Sequence, residues 1–142
     1  MRTTIVIALL LLLASCNVEH RGDKYFKVTN NSNFQLIFTI RSQSLYDGIY
    51  KEENDSTVYI NPSETKYILK IWDKGGPYDE GDNFLGGVDS LEVCINDSLR
   101  ICKNIHQRAS WDYYFEETSK NGKNGNNIYH LTINNNDTCG IQ

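Results

Sequence analysis

FQLIFTIR, residues 34–41, carries the clearest β-strand pattern in the chain. Apolar residues occupy every second position from Phe34 to Ile40, and only Ile37 interrupts the polar positions between them. Because successive side chains of a strand point to opposite faces, this period of two predicts a half-buried β-strand. The other predicted strands lie on either side of this one in the sequence.

Similar short runs recur at intervals of about ten residues, separated by turn-forming residues. The runs are residues 24–29, 57–60, 65–72, 89–95, 99–103 and 128–134, and NPSE (61–64) and NDS (96–98) separate some of them. NNSN (30–33) tolerates left-handed turn geometry, so the first two strands are predicted to form a hairpin. About seven strands with no alternating helices predict an all-β fold, an antiparallel β-sandwich that is immunoglobulin-like in the broad sense.

The alternation also predicts which side chains form the core. The expected core residues are Phe26, Val28, Leu36, Phe38, Ile40, Val58, Ile60, Ile68, Leu91, Val93, Leu99, Ile101, Leu131 and Ile133. Three segments break the pattern: residues 42–54, 73–87 and 119–127. Between residues 104 and 118 we expect an irregular stretch followed by a strand that begins near Trp111.

Length and charge exclude several classes of protein. The chain has 142 residues and a formal net charge of −4, which becomes −5 once Arg2 is lost with the leader described below. Such a chain can bury one core but is too short for a barrel enzyme or a two-domain dinucleotide-binding fold. Its basic residues are scattered, so nucleic acid is not an expected partner.

The leader predicts export and lipidation. Arg2 precedes an apolar run at residues 5–13, which covers about 14 Å as a helix and is too short to span a bilayer. The following LASC, residues 13–16, resembles the lipobox of bacterial lipoproteins, which implies cleavage before Cys16 and acylation of that cysteine. An ordinary secretory peptide cut near Ala14 is the alternative.

These features divide the chain into three parts. Residues 1–15 are the expected lipoprotein signal peptide, residues 16–23 the lipidated tether, and residues 24–142 the β-sandwich domain. The membrane is the expected partner through the lipid anchor, and the expected location is the cell envelope, with the outer membrane favoured.

Several motifs together resemble small envelope lipoproteins that are abundant in Bacteroidetes. These motifs are NNS (30–32), PSET (62–65), DSLEV (89–93), Trp111, YHLTI (129–133) and Asp137. The resemblance covers about 110 residues. It implies an immunoglobulin-like domain from a family that has no assigned activity.

With Cys16 acylated, three cysteines remain: Cys94, Cys102 and Cys139. A three-residue hairpin loop at 96–98 places Cys94 opposite Arg100, with Cys102 as a diagonal neighbour. A shifted register places Cys94 opposite Cys102, at the separation that a disulfide needs. A bridge between Cys94 and Cys102 is the leading expectation. A bridge from either one to Cys139, or no bridge, is the alternative.

Aromatic side chains beside carboxylates suggest a ligand-binding surface. Trp72, Tyr78 and Phe84 accompany an acidic, glycine-rich loop, and Trp111 and Tyr113 form a second group. This combination suits sugar or peptide binding. The competing interpretation is that the two tryptophans fill the ends of the core. The loop carboxylates do not match an EF-hand, so no metal is expected.

Three sites resemble the short O-glycosylation sequon that some Bacteroidetes use on exported proteins. They are centred on Ser56, Ser90 and Ser98, each preceded by an aspartate. Asp and Ser are also ordinary turn residues at strand ends.

The leading functional prediction is a non-enzymatic envelope lipoprotein that binds a glycan or protein partner or acts as a structural module. The alternative is an inhibitor or immunity-type lipoprotein that blocks an enzyme through an exposed loop such as residues 73–87. No catalytic residue or cofactor is predicted. A hydrolase would need a deep pocket around His106, the one histidine that could act as a base.

Overall fold

The computed structural model describes residues 22–42, 45–46, 49–50, 54–73, 76–96, 99–119 and 124–140. The predicted signal peptide, Cys16 and Ser98 lie outside these residues. The strands are β1 (Gly22–Asn31), β2 (Leu36–Ser42), β3 (Leu45–Tyr46), β4 (Ile49–Tyr50), β5 (Asn54–Ile60), β6 (Thr65–Asp73), β7 (Val88–Asn96), β8 (Leu99–Ile101), β9 (Trp111–Glu117), β10 (Gly125–Asn134) and β11 (Thr138–Gly140). Gly22 and Asp23, predicted as the end of the tether, already belong to β1.

Two sheets pack face to face. Sheet A has the order β6-β1-β10-β9, and sheet B has the order β11-β8-β7-β2-β5, while β3 and β4 form a separate two-stranded hairpin. The predicted all-β sandwich is therefore confirmed, with nine strands in the two sheets of the described chain rather than seven. One pair is not antiparallel, because β1 runs parallel to β10 at the centre of sheet A.

The predicted hairpin between β1 and β2 is wrong. β1 pairs with β10 and β6 in sheet A, whereas β2 pairs with β5 and β7 in sheet B. Residues 32–35 therefore carry the chain from one sheet to the other instead of turning it back within one sheet. Both strands alternate in burial, and each buries its apolar side against the other sheet.

A buried asparagine holds this crossover in place. The side-chain amide of Asn30 donates to the carbonyl oxygens of Phe34 at 2.7 Å and Ile60 at 2.9 Å. Its side-chain oxygen accepts from the backbone N–H of Ser32 at 3.0 Å and from the Ser32 hydroxyl at 2.6 Å. A fully buried amide must be hydrogen-bonded, and here both of its ends are.

The backbone of Asn30 joins the same site to a third segment. Its N–H donates to the Glu64 carbonyl at 2.9 Å, and its carbonyl accepts from the Ser63 N–H at 2.7 Å. These two residues belong to the predicted turn at 61–64, which leads from β5 in sheet B to β6 in sheet A. One residue therefore ties together two of the crossovers at this end of the sandwich.

The core lies between the sheets and contains most of the predicted residues. Those predicted and buried are Phe26, Val28, Leu36, Phe38, Ile40, Ile60, Ile68, Leu91, Leu131 and Ile133. Val58, Val93, Leu99 and Ile101 are half-buried against them. The core also takes in Phe84, Ile95, Ile105, Trp111 and Tyr129, which the alternation did not predict. Within the described residues, no helix is both long enough and apolar enough to cross a bilayer.

The buried hydrogen bonds of the Asn30 side chain are expected to contribute to the free energy of unfolding. Asn30→Ala is expected to lower the free energy of unfolding by about 3 kcal/mol, because it leaves the Ile60 carbonyl and the Ser32 N–H without their side-chain partner inside the protein. The neighbouring Asn31→Ala, at an exposed position, is expected to change it by less than about 0.5 kcal/mol. Urea unfolding followed by tryptophan fluorescence measures both. Equal losses in the two variants would contradict the assignment.

Candidate functional site

Sheet A has one surface that points away from sheet B, and we call it the outer face. Strand alternation and register place side chains from all four strands on it. They are Thr65, Tyr67, Lys70 and Trp72 from β6; Asp23, Tyr25, Lys27 and Thr29 from β1; Asn126, Ile128, His130 and Thr132 from β10; and Asp112, Tyr114 and Glu116 from β9.

A bulge in β6 gives the outer face its aromatic character. Phe26 pairs with Leu69 but the next residue, Lys27, pairs with Tyr67, so Ile68 is an extra residue without a partner in β1. Simple alternation would send Tyr67 and Lys70 to opposite faces. The extra residue instead brings both to the outer face.

Two tyrosines and two lysines meet where β6 and β1 pair, on the β6 side of this face. The rings of Tyr25 and Tyr67 lie 5.3 Å apart, centroid to centroid, and Tyr67 is 52% exposed. The Lys27 ammonium lies 5.7 Å from the Tyr67 ring centre, and the Lys70 ammonium lies 5.5 Å from that of Tyr25. The result is an exposed aromatic surface with hydrogen-bond donors directly over the rings.

The charge of Lys70 is balanced within the same face. Its ammonium lies 2.9 Å from the Asp23 carboxylate, and the hydrogen bond to Asp23 raises the pKa of Lys70. Asp112 and Glu116 add negative charge along the β9 side. The outer face is therefore not a strongly basic surface.

An apolar row crosses the sheet beside the tyrosine pair. Ile128 points away from the inter-sheet core, yet it is only 1% exposed. It lies in register with Tyr25 on β1 and with Tyr114 on β9, one on each side. These three side chains form a continuous apolar floor across three strands.

Hydroxyl groups and a histidine lie at the other end of the face. The Thr29 hydroxyl lies 2.8 Å from the Thr65 hydroxyl and 2.8 Å from Nε2 of His130. Burial, with a further contribution from Lys27, lowers the pKa of His130, so the neutral imidazole is favoured near pH 7. A neutral imidazole can accept a hydrogen bond from the Thr29 hydroxyl at Nε2.

Of the five aromatic residues predicted to bind a ligand, only Trp72 joins the outer face. Trp72 is 62% exposed and lies opposite Asp23, at the end of the face where β1 begins. Tyr78 is also exposed but belongs to the loop before β7. The sequence does not predict Tyr25, Tyr67 and Tyr114 as part of the site. They share a surface because of the bulge in β6 and the strand pairing in sheet A, and both depend on tertiary structure.

The prediction that Phe84 and Trp111 bind a ligand is wrong, because both are buried. The ring centroid of Phe84 lies 5.8 Å from that of Trp111 and 6.2 Å from that of Phe26. The Trp111 indole N–H donates to the Ile105 carbonyl at 2.7 Å. Tyr113 is half-buried and packs against the core, and its role in ligand binding stays a prediction. Its ring lies 5.4 Å from that of Tyr129, and its hydroxyl is 2.8 Å from the Asn127 side-chain oxygen.

The acidic loop before β7 is bound to the body of the domain. The Glu80 carboxylate lies 2.6 Å from the buried Lys24 ammonium. Arg108 donates to both oxygens of Asp79, at 2.8 and 2.6 Å, and holds the pKa of that carboxyl below its usual value. The loop also inserts Phe84 into the core. Asp79 and Glu80 therefore serve intramolecular pairing, and the described residues contain no cluster of His, Cys, Asp or Glu suited to a metal ion.

The remaining surface offers weaker candidates. A shallow depression of about 340 Å³ is lined by residues that include Glu92 and His106. It is open to solvent, and no hydrogen bond or ion pair between these two side chains is found in the described chain. Among the predicted glycosylation sites, Ser56 is exposed in β5 and Ser90 is half-buried in β7. Their modification stays a prediction.

The predicted bridge between Cys94 and Cys102 is wrong. Cys102 pairs with Cys139, with Cα atoms 5.9 Å apart, and Cys94 is a free, exposed cysteine. The β7–β8 register places Cys94 opposite Arg100, as predicted, so Cys102 is only diagonal to Cys94. The three-residue loop is not confirmed, because Leu99 pairs with Asn96 and the register shifts at Ile95. The strand β11, which was not predicted, runs beside β8 and brings Cys139 to Cys102.

Peptide mapping of the denatured, non-reduced chain tests this pairing. We expect alkylation at Cys94 and a linked pair of peptides containing Cys102 and Cys139. Cys139→Ala is expected to cost about 2–4 kcal/mol of unfolding free energy, because the bridge closes a loop over a sequence separation of 37. Cys94→Ala serves as the matched control and should leave stability nearly unchanged. A linked peptide pair containing Cys94 would contradict this assignment.

No protein-family model matches this chain, and no curated protein and no solved structure matches it either.

Proposed function

We propose that this protein is a lipid-anchored envelope lipoprotein whose β-sandwich is a non-enzymatic binding module, and that the outer face of sheet A is its binding surface. The leader and Cys16 support the anchoring, with the outer membrane as the expected location. The two possible partners from the sequence were a glycan and a protein, and the chemistry of the outer face favours the glycan.

The observation that carries the proposal is the open aromatic cluster at Tyr25 and Tyr67. The core has room for large aromatic residues, because it buries Phe26, Trp111 and Tyr129, so the exposure of Tyr67 is not forced by the lack of a core. Clustered exposed apolar side chains that are surrounded by polar groups mark interaction surfaces.

A sugar fits the surroundings of these rings. A pyranose has apolar C–H faces that pack against an aromatic ring, and hydroxyls around its edge that both donate and accept hydrogen bonds. Lys27 and Lys70 lie directly over the two tyrosine rings, and Asp23 accepts beside them. All three can bond to sugar hydroxyls while they remain hydrated.

A protein partner fits less well. Protein interfaces exclude charged groups from their centre and remove water from it. Here two ammonium groups lie beside the tyrosine rings, so a protein interface that covers these rings would have to desolvate both. The acids along β9 also disfavour an anionic polysaccharide. We therefore propose a neutral glycan.

The alternative of an inhibitor that acts through the loop at residues 73–87 has less support. Asp79 and Glu80 are engaged by Arg108 and Lys24, and Phe84 lies in the core. These contacts hold the described part of the loop against the sandwich rather than presenting its acids to a partner.

Metabolic labelling tests the anchor. A bacterial host fed an alkyne fatty acid is expected to label the full chain and to retain it in the membrane fraction. Cys16→Ala is expected to abolish both the label and the membrane association, because the thiol is the acylated group. A Cys16→Ala chain that still carries the label would contradict lipidation at this residue.

Affinity electrophoresis tests the glycan. The detergent-solubilised full chain is run through gels that contain a neutral β-glucan, a neutral α-mannan or anionic polygalacturonate. We expect at least one neutral polymer to retard it. Tyr67→Ala is expected to weaken that binding by about tenfold, equivalent to about 1.4 kcal/mol, because one stacking ring is lost.

Tyr59 provides the matched control for Tyr67. It is the same residue type at nearly the same exposure, 51% against 52%, but it lies on sheet B. Tyr59→Ala is expected to bind the polymer like the unaltered chain. Equal weakening by the two substitutions, or retardation by the anionic polymer alone, would count against a neutral-glycan site on the outer face.

A further inference from the structure

We propose that one end of the sandwich docks on the lipid headgroup region through Trp72 and Tyr78. This inference rests on the proposed anchoring at Cys16. It goes beyond the anchor itself, because a lipid chain alone would leave the orientation of the domain undefined. The point where the tether enters the fold and the side chains around that point support this orientation.

The tether enters at the start of β1. Gly22 is the first residue of the strand and lies six residues after Cys16. A fully extended chain of this length spans about 20 Å at most. An acylated Cys16 lies at the membrane surface, so the β1-start end of the sandwich must stay within that distance. We call it the anchor-proximal end.

Trp72 lies at this end. It pairs with Asp23, the second residue of β1, and its side chain is 62% exposed on the outer face. The Asp23 carboxylate beside it pairs with Lys70 at 2.9 Å. The carboxylate that faces the tryptophan across the strand pair is therefore compensated by a lysine.

Tyr78 lies at the same end, although it belongs to a different segment. Its backbone N–H donates to the side-chain oxygen of Asn127 at 3.3 Å, and Asn127 is in register with Lys24, the third residue of β1. Its side chain is 68% exposed. The loop that carries it is held by the Glu80–Lys24 pair, so the ring is presented from a fixed backbone.

The remaining exposed aromatics lie farther from the tether. In the described chain, the other large exposed hydrophobic residues are Tyr59 and Tyr67. Tyr59 is the residue before the end of β5, at the end of the sandwich where β1 finishes, and Tyr67 pairs with Lys27 toward that same end. The two most exposed rings are thus the two that lie nearest the membrane.

The chemistry of both rings suits a bilayer interface. Trp and Tyr concentrate at membrane surfaces, because each combines an apolar ring with a polar N–H or O–H group that remains hydrated. A tether of six residues also keeps their local concentration at the surface high, so a weak contact is sufficient. With these rings docked, β1 would run away from the membrane. The rest of the outer face would then remain accessible to a ligand from solvent.

Tryptophan fluorescence of the lipidated full chain in phosphatidylcholine vesicles tests this orientation. The chain has two tryptophans, and Trp111 is buried at 2% exposure, so it serves as an internal reference. Compared with the Cys16→Ala chain in solution, we expect Trp72 emission to shift to the blue, to be quenched by brominated acyl chains and to be protected from aqueous iodide. Trp72→Phe is expected to remove all three effects.

A relocated reporter provides the matched control. Trp72→Phe combined with Tyr59→Trp moves the exposed indole to the opposite end of the sandwich, where we expect full iodide quenching and no effect of bromine. Tyr78→Ala in the otherwise unaltered chain is expected to reduce the protection of Trp72.

Vesicle flotation, measured in the same samples, separates the anchor from the docking. A chain that floats while Trp72 stays open to iodide overturns the docking and leaves the anchor standing. Equal bromine quenching of the relocated indole also overturns the docking. A chain that does not float overturns the anchor, and the docking with it.

Discussion

The buried side chain of Asn30 is the constraint on which the two-sheet arrangement depends. Its amide and backbone join the end of β1, the crossover to β2, the last carbonyl of β5 and the turn into β6. A buried amide finds no other set of hydrogen-bond partners like this one inside an apolar core. Its hydrogen bonds therefore favour one path of the chain over others. Because Asn30 fixes these two crossovers, β1 lies in sheet A, where it pairs with β10 and β6. The outer face exists because of that pairing.

The strands themselves were largely predictable from local pattern. Alternation located β2, the cores of β6 and β7 and most of the inter-sheet core, because a period of two is a property of neighbouring residues. The bulge at Ile68 was not predictable in this way. It depends on the register between β6 and β1, and it reverses the side that Tyr67 occupies. The candidate site was therefore only partly visible in the sequence, through Trp72.

Similar residue types take opposite roles according to tertiary position. Trp111 and Phe84 fill the core, whereas Trp72 is exposed at a strand end, although all three are large aromatics near acidic or irregular segments. The acids of the loop before β7 pair with Lys24 and Arg108, which come from distant parts of the chain. Neither outcome follows from composition, because both depend on which surfaces the sandwich brings together.

The class of fold, most core positions and the expectation of a lipidated Cys16 follow from local sequence, because periodicity and a short leader motif are local features. Tertiary structure alone decided the sheet order, the pairing of Cys102 with Cys139 and the composition of the outer face. The physical reason is that hydrogen bonds between strands and contacts between side chains join residues far apart in the chain. Local pattern sets which side of a strand is apolar, but only long-range pairing sets what lies beside it.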